Sequence, residues 1–488
     1  MSIAAAYEEH DALGLAALVA RGEVTPGELL DEALARAEAL NPRLDALTLL
    51  QEAVARRMIA EGLPEGPFRG VPFLLKDLGC EARDFPSHGG SRLLANTRYA
   101  LDSEIFLRLK RSGLVPFGRT TSPEGGVGPV TEALVYGGPT RNPWNLGRTP
   151  GGSSGGSGAA VAAGIVPAAH GSDGGGSVRI PASSCGLFGL KPTRARLPDG
   201  PYAGEGWAGM AIDGFLTRTV RDTAALLDAC SGPDLGAPYW PPPLAGSFVS
   251  ALDHPLRRLR VAFTPGTLDG EPIHPECRRA VEGAARLLEA LGHDVEEARP
   301  HVDNRAMMRA WTDIVACGTA LWITGALKGR SLDPDLVEPV ARGAVAHAAT
   351  ISGADYLAAI NAIHDYGRQL AAFFTRYDVL LTATLAEPPA EIGRFDHRSE
   401  DFVGYRIGPQ GVFAYSPFTA AFNASGQPAA SLPLHWTGEG LPVGVHLATR
   451  FGEERLLVGL SAEIEAARPW FQRRPPAENR YRPGPDRR

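Results

Sequence analysis

Lysine is nearly absent from this chain. Of 48 basic residues in 488, four are lysine (Lys76, Lys110, Lys191, Lys328) and the rest are arginine. Arginine suffices wherever a positive charge only has to exist. Lysine matters where an amine must give up its proton, which a guanidinium does not do. Codon usage accounts for the general scarcity, but not for a lysine ending the run Gly70-Val71-Pro72-Phe73-Leu74-Leu75-Lys76 just before Asp77. Cysteine is also sparse: Cys80, Cys185, Cys230, Cys277 and Cys317 are odd in number, widely spaced and without a C-x-x-C pair. That excludes a disulfide framework and a thiolate zinc site, and it points to a reducing compartment. Excess charge is small, 55 acidic residues against 48 basic, so nothing general favours nucleic acid or anionic lipid. Met1 to His10 lacks the basic-then-apolar order of a signal peptide. The longest weakly polar stretch, Ala159 to Ala169, is too short and too rich in Gly and Pro to span a bilayer. The expectation is a soluble, cytoplasmic protein. Its 44% hydrophobic and 21% charged residues are those of a globular chain. At this length about three quarters of the unfolded surface can be buried without metal or disulfide support.

No repeat and no long linker divides the chain, which favours one large α/β unit over several beads. The opening sixty residues read as helices, with Thr25-Pro26-Gly27-Glu28 a capping box carrying Pro at the first helical position. From Val71 short apolar runs separated by Gly and Pro predict buried strands. Leu259–Phe263, then an amphipathic helix over Glu276–Leu291 stopped by Gly292, then a run from Val295 predict a βαβ unit, hence a partly parallel sheet. Thr219 to Asp222 caps a further helix. Later strands are expected at 377–384, 429–434 and 442–448, and a closing helix at 454–466.

Two Gly/Ser clusters stand close together, at Gly151–Gly158 and at Gly171–Ser177. A flexible linker is the plain reading of the first, but it runs directly into Ala159-Ala160-Val161-Ala162-Ala163, a small-residue helix with the look of burial. A glycine loop opening a buried helix presents backbone N–H groups to an anion or oxyanion. A phosphate loop needs a lysine after its last glycine, and Gly156 and Gly158 are followed by Ser157 and Ala159. Gly151-x-Ser153-x-Gly155 and Gly152-x-Ser154-x-Gly156 both satisfy the nucleophile-elbow pattern. That elbow requires a preceding strand, which Arg141 to Pro150 does not make. The second cluster suits a serine nucleophile better: Gly174, Gly175 and Gly176 allow a tight turn whose N–H groups, with that of Ser177, can converge on one oxygen. Serine needs a base. The twelve histidines are scattered, and the nearest, His170, forms no recognisable catalytic motif.

Taken in order, these segments resemble the amidase signature family. They are Gly70-Val71-Pro72 leading to Lys76-Asp77, then Gly151–Gly158, then Gly171–Pro181, then Gly189-Leu190-Lys191-Pro192-Thr193, with Asn423-x-x-Gly426-x-Pro428 and Pro442-x-Gly444 near the C-terminus. The resemblance implies an α/β fold with a central mixed sheet covered by helices on both faces, as one amidase domain over 1–475. Within it, 1–65 is the N-terminal helical part, 66–235 the signature core and 236–475 the remaining sheet and helices; 476–488 is a polar tail. It also implies a Ser–cis-Ser–Lys unit, with Ser177 as nucleophile, Ser153 as bridging serine after a cis peptide, and Lys76 as base. The oxyanion hole falls to Gly174, Gly175, Gly176 and Ser177; Ser154, Asp173 and Arg179 are supporting residues, the last two as an ion pair. Asp77 is expected to face away from Lys76, and Lys191 to be structural. Ala195 stands where many members have Gly, which puts a turn in doubt.

The segments Thr140–Arg148 and Ser177–Ser183 look most like the branch of aminohexanoate cyclic-dimer (nylon oligomer) hydrolases, implying linear or cyclic amides with aliphatic acyl parts. Expected pocket walls are 123–127, the 202–210 loop and the helix around Trp311 and Cys317. The competing readings are the A subunit of glutamyl-tRNA amidotransferase, which needs partner subunits, and a non-catalytic anion-binding protein. No cofactor or metal is expected. The expected partner is a small-molecule amide, with no nucleic acid or membrane, and a homodimer is the candidate assembly.

Overall fold

Lys76 ends one strand of an eleven-stranded mixed sheet that runs through the whole protein. The computed structural model describes residues 2–481. In chain order the strands are β1 (Leu47–Leu50), β2 (Pro72–Lys76), β3 (Val115–Thr120), β4 (Ala168–Asp173), β5 (Phe188–Lys191), β6 (Ile212–Thr217), β7 (Arg260–Phe263), β8 (Asp294–Glu297), β9 (Val379–Ala383), β10 (Ala429–Trp436) and β11 (Pro442–Thr449). They lie side by side as β1-β3-β2-β4-β6-β5-β10-β11-β9-β7-β8. β2 runs parallel to both β3 and β4, and β7 parallel to both β8 and β9. The centre, from β4 to β9, is antiparallel.

Burial follows from this order. β2, β3, β9 and β11 are buried at every position, on both faces, as strands covered by helices on two sides must be. At the edges, β1 and β8 expose most of their residues to some degree. The expected βαβ unit is β7, the helix Pro275–Ala290 and β8, with Val261 opposite Val295. Thr25 caps the helix Pro26–Leu44 with the reciprocal Glu28 bonds of a capping box.

One expectation is corrected. The longest apolar stretch is not Ala159–Ala169 but the helix Asn304–Leu327, which is long and apolar enough, by length and composition alone, to cross a membrane. It packs along Pro339–Ala348 and Gly353–Phe373 and buries Trp311, Ile314 and Val315 there, while Leu321 stays 75% exposed. Of the polar tail expected over 476–488, residues 482–488 lie outside the described part. Residues 476–481 are docked: Asn479 accepts from Arg43 Nη2 at 2.9 Å and donates to the Pro143 carbonyl at 3.0 Å.

Candidate active site

The two Gly/Ser clusters meet at the C-terminal ends of β2 and β4. Phe73, Leu74 and Leu75 are fully buried, and the same strand carries Lys76 into the interior with 0% of its surface exposed. Its Nζ lies 2.6 Å from Ser153 Oγ and 2.8 Å from Ser172 Oγ. Burial pushes the amine down to about 7, working against the attraction of Asp213 and Asp173, which favours the charged form. As a neutral amine it can donate to Ser172 and accept from the Ser153 hydroxyl. Asp77 does point elsewhere: its carboxylate accepts from His88 N at 2.8 Å and from the Tyr136 hydroxyl at 2.5 Å.

Ser153 follows a cis peptide bond from Gly152. The helix after it, Gly155–Ala162, is buried at all eight positions, so the first cluster is no linker. No strand precedes it either; Asn142 and Asn145 form an isolated bridge within a turn. Ser154 ties the two clusters together. Its hydroxyl donates to the Ser172 carbonyl and accepts from Ser172 N, both at 3.2 Å, and its own N–H donates to the Ser177 carbonyl at 3.2 Å.

Ser177 sits between β4 and the buried helix Arg179–Cys185. It is 9% exposed, and among the described residues its hydroxyl makes no hydrogen bond. The turn around it is fixed by the buried Asp173–Arg179 pair. Asp173 accepts from Arg179 Nε at 3.0 Å and Nη2 at 2.8 Å, from Gly176 N at 2.8 Å and from Val178 N at 3.1 Å. Burial opposes the Asp173 charge, yet Arg179 and Asn423 hold the carboxyl well below the usual carboxylate range. Arg179 continues to the Thr419 carbonyl at 2.9 Å, Asn423 Oδ1 at 2.6 Å and His446 Nε2 at 3.0 Å. Burial, reinforced by the Arg179 charge, lowers His446 well below its ordinary value, so it accepts as a neutral ring.

This arrangement refines the set of candidate oxyanion donors. The Gly176 N–H is committed to Asp173, whereas those of Gly174, Gly175 and Ser177 have no acceptor among the described residues. Three donors are therefore free, not four. Gly176 serves by conformation instead: its φ is +129°, and a Cβ there would collide with Thr419 Oγ1. Trp207 and Trp311 close over the turn edge to face, with ring centroids 5.6 Å apart. A Cβ on Gly174 would lie 2.5 Å from Trp207, and one on Gly175 2.8 Å from Trp311, whose Nε1 donates to the Gly174 carbonyl at 3.3 Å. The three expected wall segments adjoin these residues: a Cβ on Gly126 would be 3.4 Å from Ser153 Oγ, and Gly318, next to Cys317, packs against Trp207.

Sequence reasoning missed Ser172, the second partner of Lys76, and Thr419, which braces the Gly175 carbonyl at 2.6 Å. Asn423 was visible as part of a motif, though not as the residue that bonds Asp173 at both its main chain and side chain, 2.9 Å each. His170 belongs to the support: it accepts from Lys76 N at 3.3 Å and faces Asp213 at 3.1 Å. Lys191 is also buried and pushed down to about 7, first by desolvation, and its Nζ donates to the Pro192 carbonyl at 2.6 Å. An open cavity of about 790 Å³ between Glu276, Glu387 and Arg394 shares no residue with this cluster.

Residues 28–458 match the model of the family described as Amidase. A curated relative, the 6-aminohexanoate-cyclic-dimer hydrolase of Paenarthrobacter ureafaciens, is 37% identical over 482 residues, spanning 95% of this chain and 96% of its own. Among solved structures, a 6-aminohexanoate cyclic dimer hydrolase complexed with substrate superimposes with a TM-score of 0.90 at 36% identity, over 96% of this chain and 98% of that one. A bacterial aryl acylamidase of the amidase signature family gives 0.86 at 28% identity, over 96% and 100%.

Proposed function

The chain belongs to the amidase signature family and is an amide-hydrolysing enzyme, and we propose that Ser177, Ser153 and Lys76 are its catalytic residues. Neutral Lys76 takes a proton from Ser153, which takes one from Ser177 as the Ser177 Oγ attacks the amide carbonyl. Oxygen charge collects on the free N–H groups of Gly174, Gly175 and Ser177. The proton then returns through Ser153 to the departing amine, and water attacks the acyl-enzyme by the same relay. Lys76 Nζ at 2.6 Å from Ser153 Oγ, in a setting that strips the amine of its solvent, is the observation that carries this reading.

The substrate class follows the relatives: amides with aliphatic acyl parts, linear or cyclic, in the manner of aminohexanoate oligomers. The aromatic walls at Trp207, Trp311 and Phe413 support an apolar chain beside the scissile carbonyl. All five cysteines are free thiols, which supports a reducing compartment such as the cytoplasm.

The test is intact and peptide mass after treating the purified chain with a fluorophosphonate. One adduct on Ser177, lost in Lys76→Ala, is expected. An adduct on Ser153 or Ser154 would move the nucleophile to the first cluster. A chain that stays unlabelled would favour a glutaminase subunit waiting for its partners.

A further inference from the structure

Six arginines are buried among the described residues: Arg36, Arg119, Arg179, Arg196, Arg218 and Arg406. Five have their charge or their donors met. Arg36 pairs with Glu32, Arg179 with Asp173 and Arg196 with Glu454, while Arg119 donates to four main-chain carbonyls and Arg218 to the Phe471 carbonyl. Arg406 is the exception. It is 3% exposed, and among the described residues no carboxylate stands within ion-pair distance, no hydrogen bond involves its guanidinium, and its buried Nε has nothing to donate to. Burial pushes the group down to about 10, with only Tyr405 acting in the other direction.

What surrounds Arg406 is the aromatic wall of the candidate active site. Its guanidinium carbon lies 4.3 Å from the ring centre of Trp311 and 5.3 Å from that of Phe413, rings that themselves meet edge to face. Trp311 is the indole that packs on Gly175 and donates to the Gly174 carbonyl. The guanidinium thus stands one indole away from the free oxyanion donors. Stacking on aromatic faces returns only part of the hydration that a buried cation forfeits. A planar fork of five donors held there is a ready seat for a carboxylate, which it can grip bidentately.

We infer that Arg406 recognises a carboxylate carried by the substrate itself, so that among the linear amides proposed above those bearing a carboxylate are preferred: an ω-amido acid or an N-acylated amino acid over its uncharged ester. This rests on the hydrolytic reading of Ser177 and adds to it. The carboxylate fills the donors that the fold leaves open, and the aliphatic spacer lies along Trp311 and Phe413. In the acyl-side case the charge stays with the acyl-enzyme; in the amine-side case it leaves with the amine.

The experiment compares kcat/KM for adipamate, N-butanoyl-6-aminohexanoate and the methyl ester of each, in the wild type and in Arg406→Met and Arg406→Lys. Charged hydrogen bonds of this kind give the acid an expected advantage of about 30-fold over its ester in the wild type. That ratio should fall to near one in Arg406→Met, mainly through KM, and recover in part in Arg406→Lys. Whichever acid shows the advantage identifies the side that bears the charge. A wild-type ratio near one for both pairs, or an Arg406→Met variant that slows acid and ester equally, would overturn the inference. Should that variant fail to fold, protection of wild-type Ser177 from the fluorophosphonate decides: adipate is expected to protect at concentrations where adipamide does not, and equal protection refutes the proposal. Labelling of Ser177 itself is scored separately, so a failed charge preference and a failed nucleophile assignment give different results.

Discussion

A lysine that folds into a neutral state leaves two marks on pH dependence, with different signs of origin. The first is catalytic. Only neutral Lys76 can take a proton from Ser153, so kcat/KM should rise with pH through a limb near 7, the value to which burial lowers it. Lys191 is lowered to about the same value but lies outside the relay. Lys191→Met should therefore keep the limb, and a profile that flattens in that variant would hand the titration to Lys191. Ser153→Ala should lose about 10²–10⁴-fold in rate, the range for a positioned proton-transfer group. The second mark is on stability. The unfolded lysine keeps its proton to about 10.5 and the folded one releases it near 7. Between these the unfolded chain binds more protons, so folding gains as pH rises and loses as it falls. Lys76→Met removes that dependence. Urea midpoints should show the variant gaining on the wild type by about 4 kcal/mol as pH drops from 10.5 to 7, and no further below. The residues proposed for the relay could be named from the sequence because each sits in a contiguous motif. Arg406 and Thr419 were not: what makes them matter is the company of Trp311, Phe413 and Gly175, far away in sequence.

The turn that carries Ser177 stands between a strand end and a helix start, and a buried ion pair sets its shape. Asp173→Asn would leave Arg179 as an uncompensated buried charge, a loss of about 3–5 kcal/mol by urea unfolding. Gly176→Ala acts differently. It meets Thr419 Oγ1 and a φ of +129°, so the turn must shift. Fluorophosphonate labelling should drop at least 100-fold while the far-ultraviolet dichroism is kept; retained labelling would show that the turn tolerates a side chain. Ala195 takes a left-handed φ of +64° where glycine would be at ease, so the turn survives the departure at a local cost of about 1 kcal/mol. Elements read from periodicity matched where the pattern was local, as in the helix Pro275–Ala290 between β7 and β8. The helix around Trp311 and Cys317 was expected, but its full extent, Asn304–Leu327, and its packing along Pro339–Ala348 and Gly353–Phe373 were not, because no local pattern records which helices meet.

At the level of the molecule, one sheet holds the parts together. The site draws Lys76 from β2, Ser172 and Asp173 from β4, and support from Thr419, Asn423 and His446 near the other end of the chain. The loss of Ser177 labelling in urea should share its midpoint with global unfolding followed by tryptophan fluorescence. Labelling lost well before that midpoint would mean that the site melts as a separate unit. Fold class was legible from the alternation of strand and helix patterns. Strand order was not, because pairing across the sheet depends on which apolar faces meet, and no local pattern records that.

The hairpin of β10 and β11 occupies the middle of the sheet, between β5 and β9, although β6 to β9 come between it and β5 in the chain. A ribosome building this protein therefore holds a nascent chain whose sheet has a gap at its centre and whose Arg179 still lacks Asn423 and His446. The turn that carries Ser177 therefore gains its last braces only once the residues through β11 have emerged.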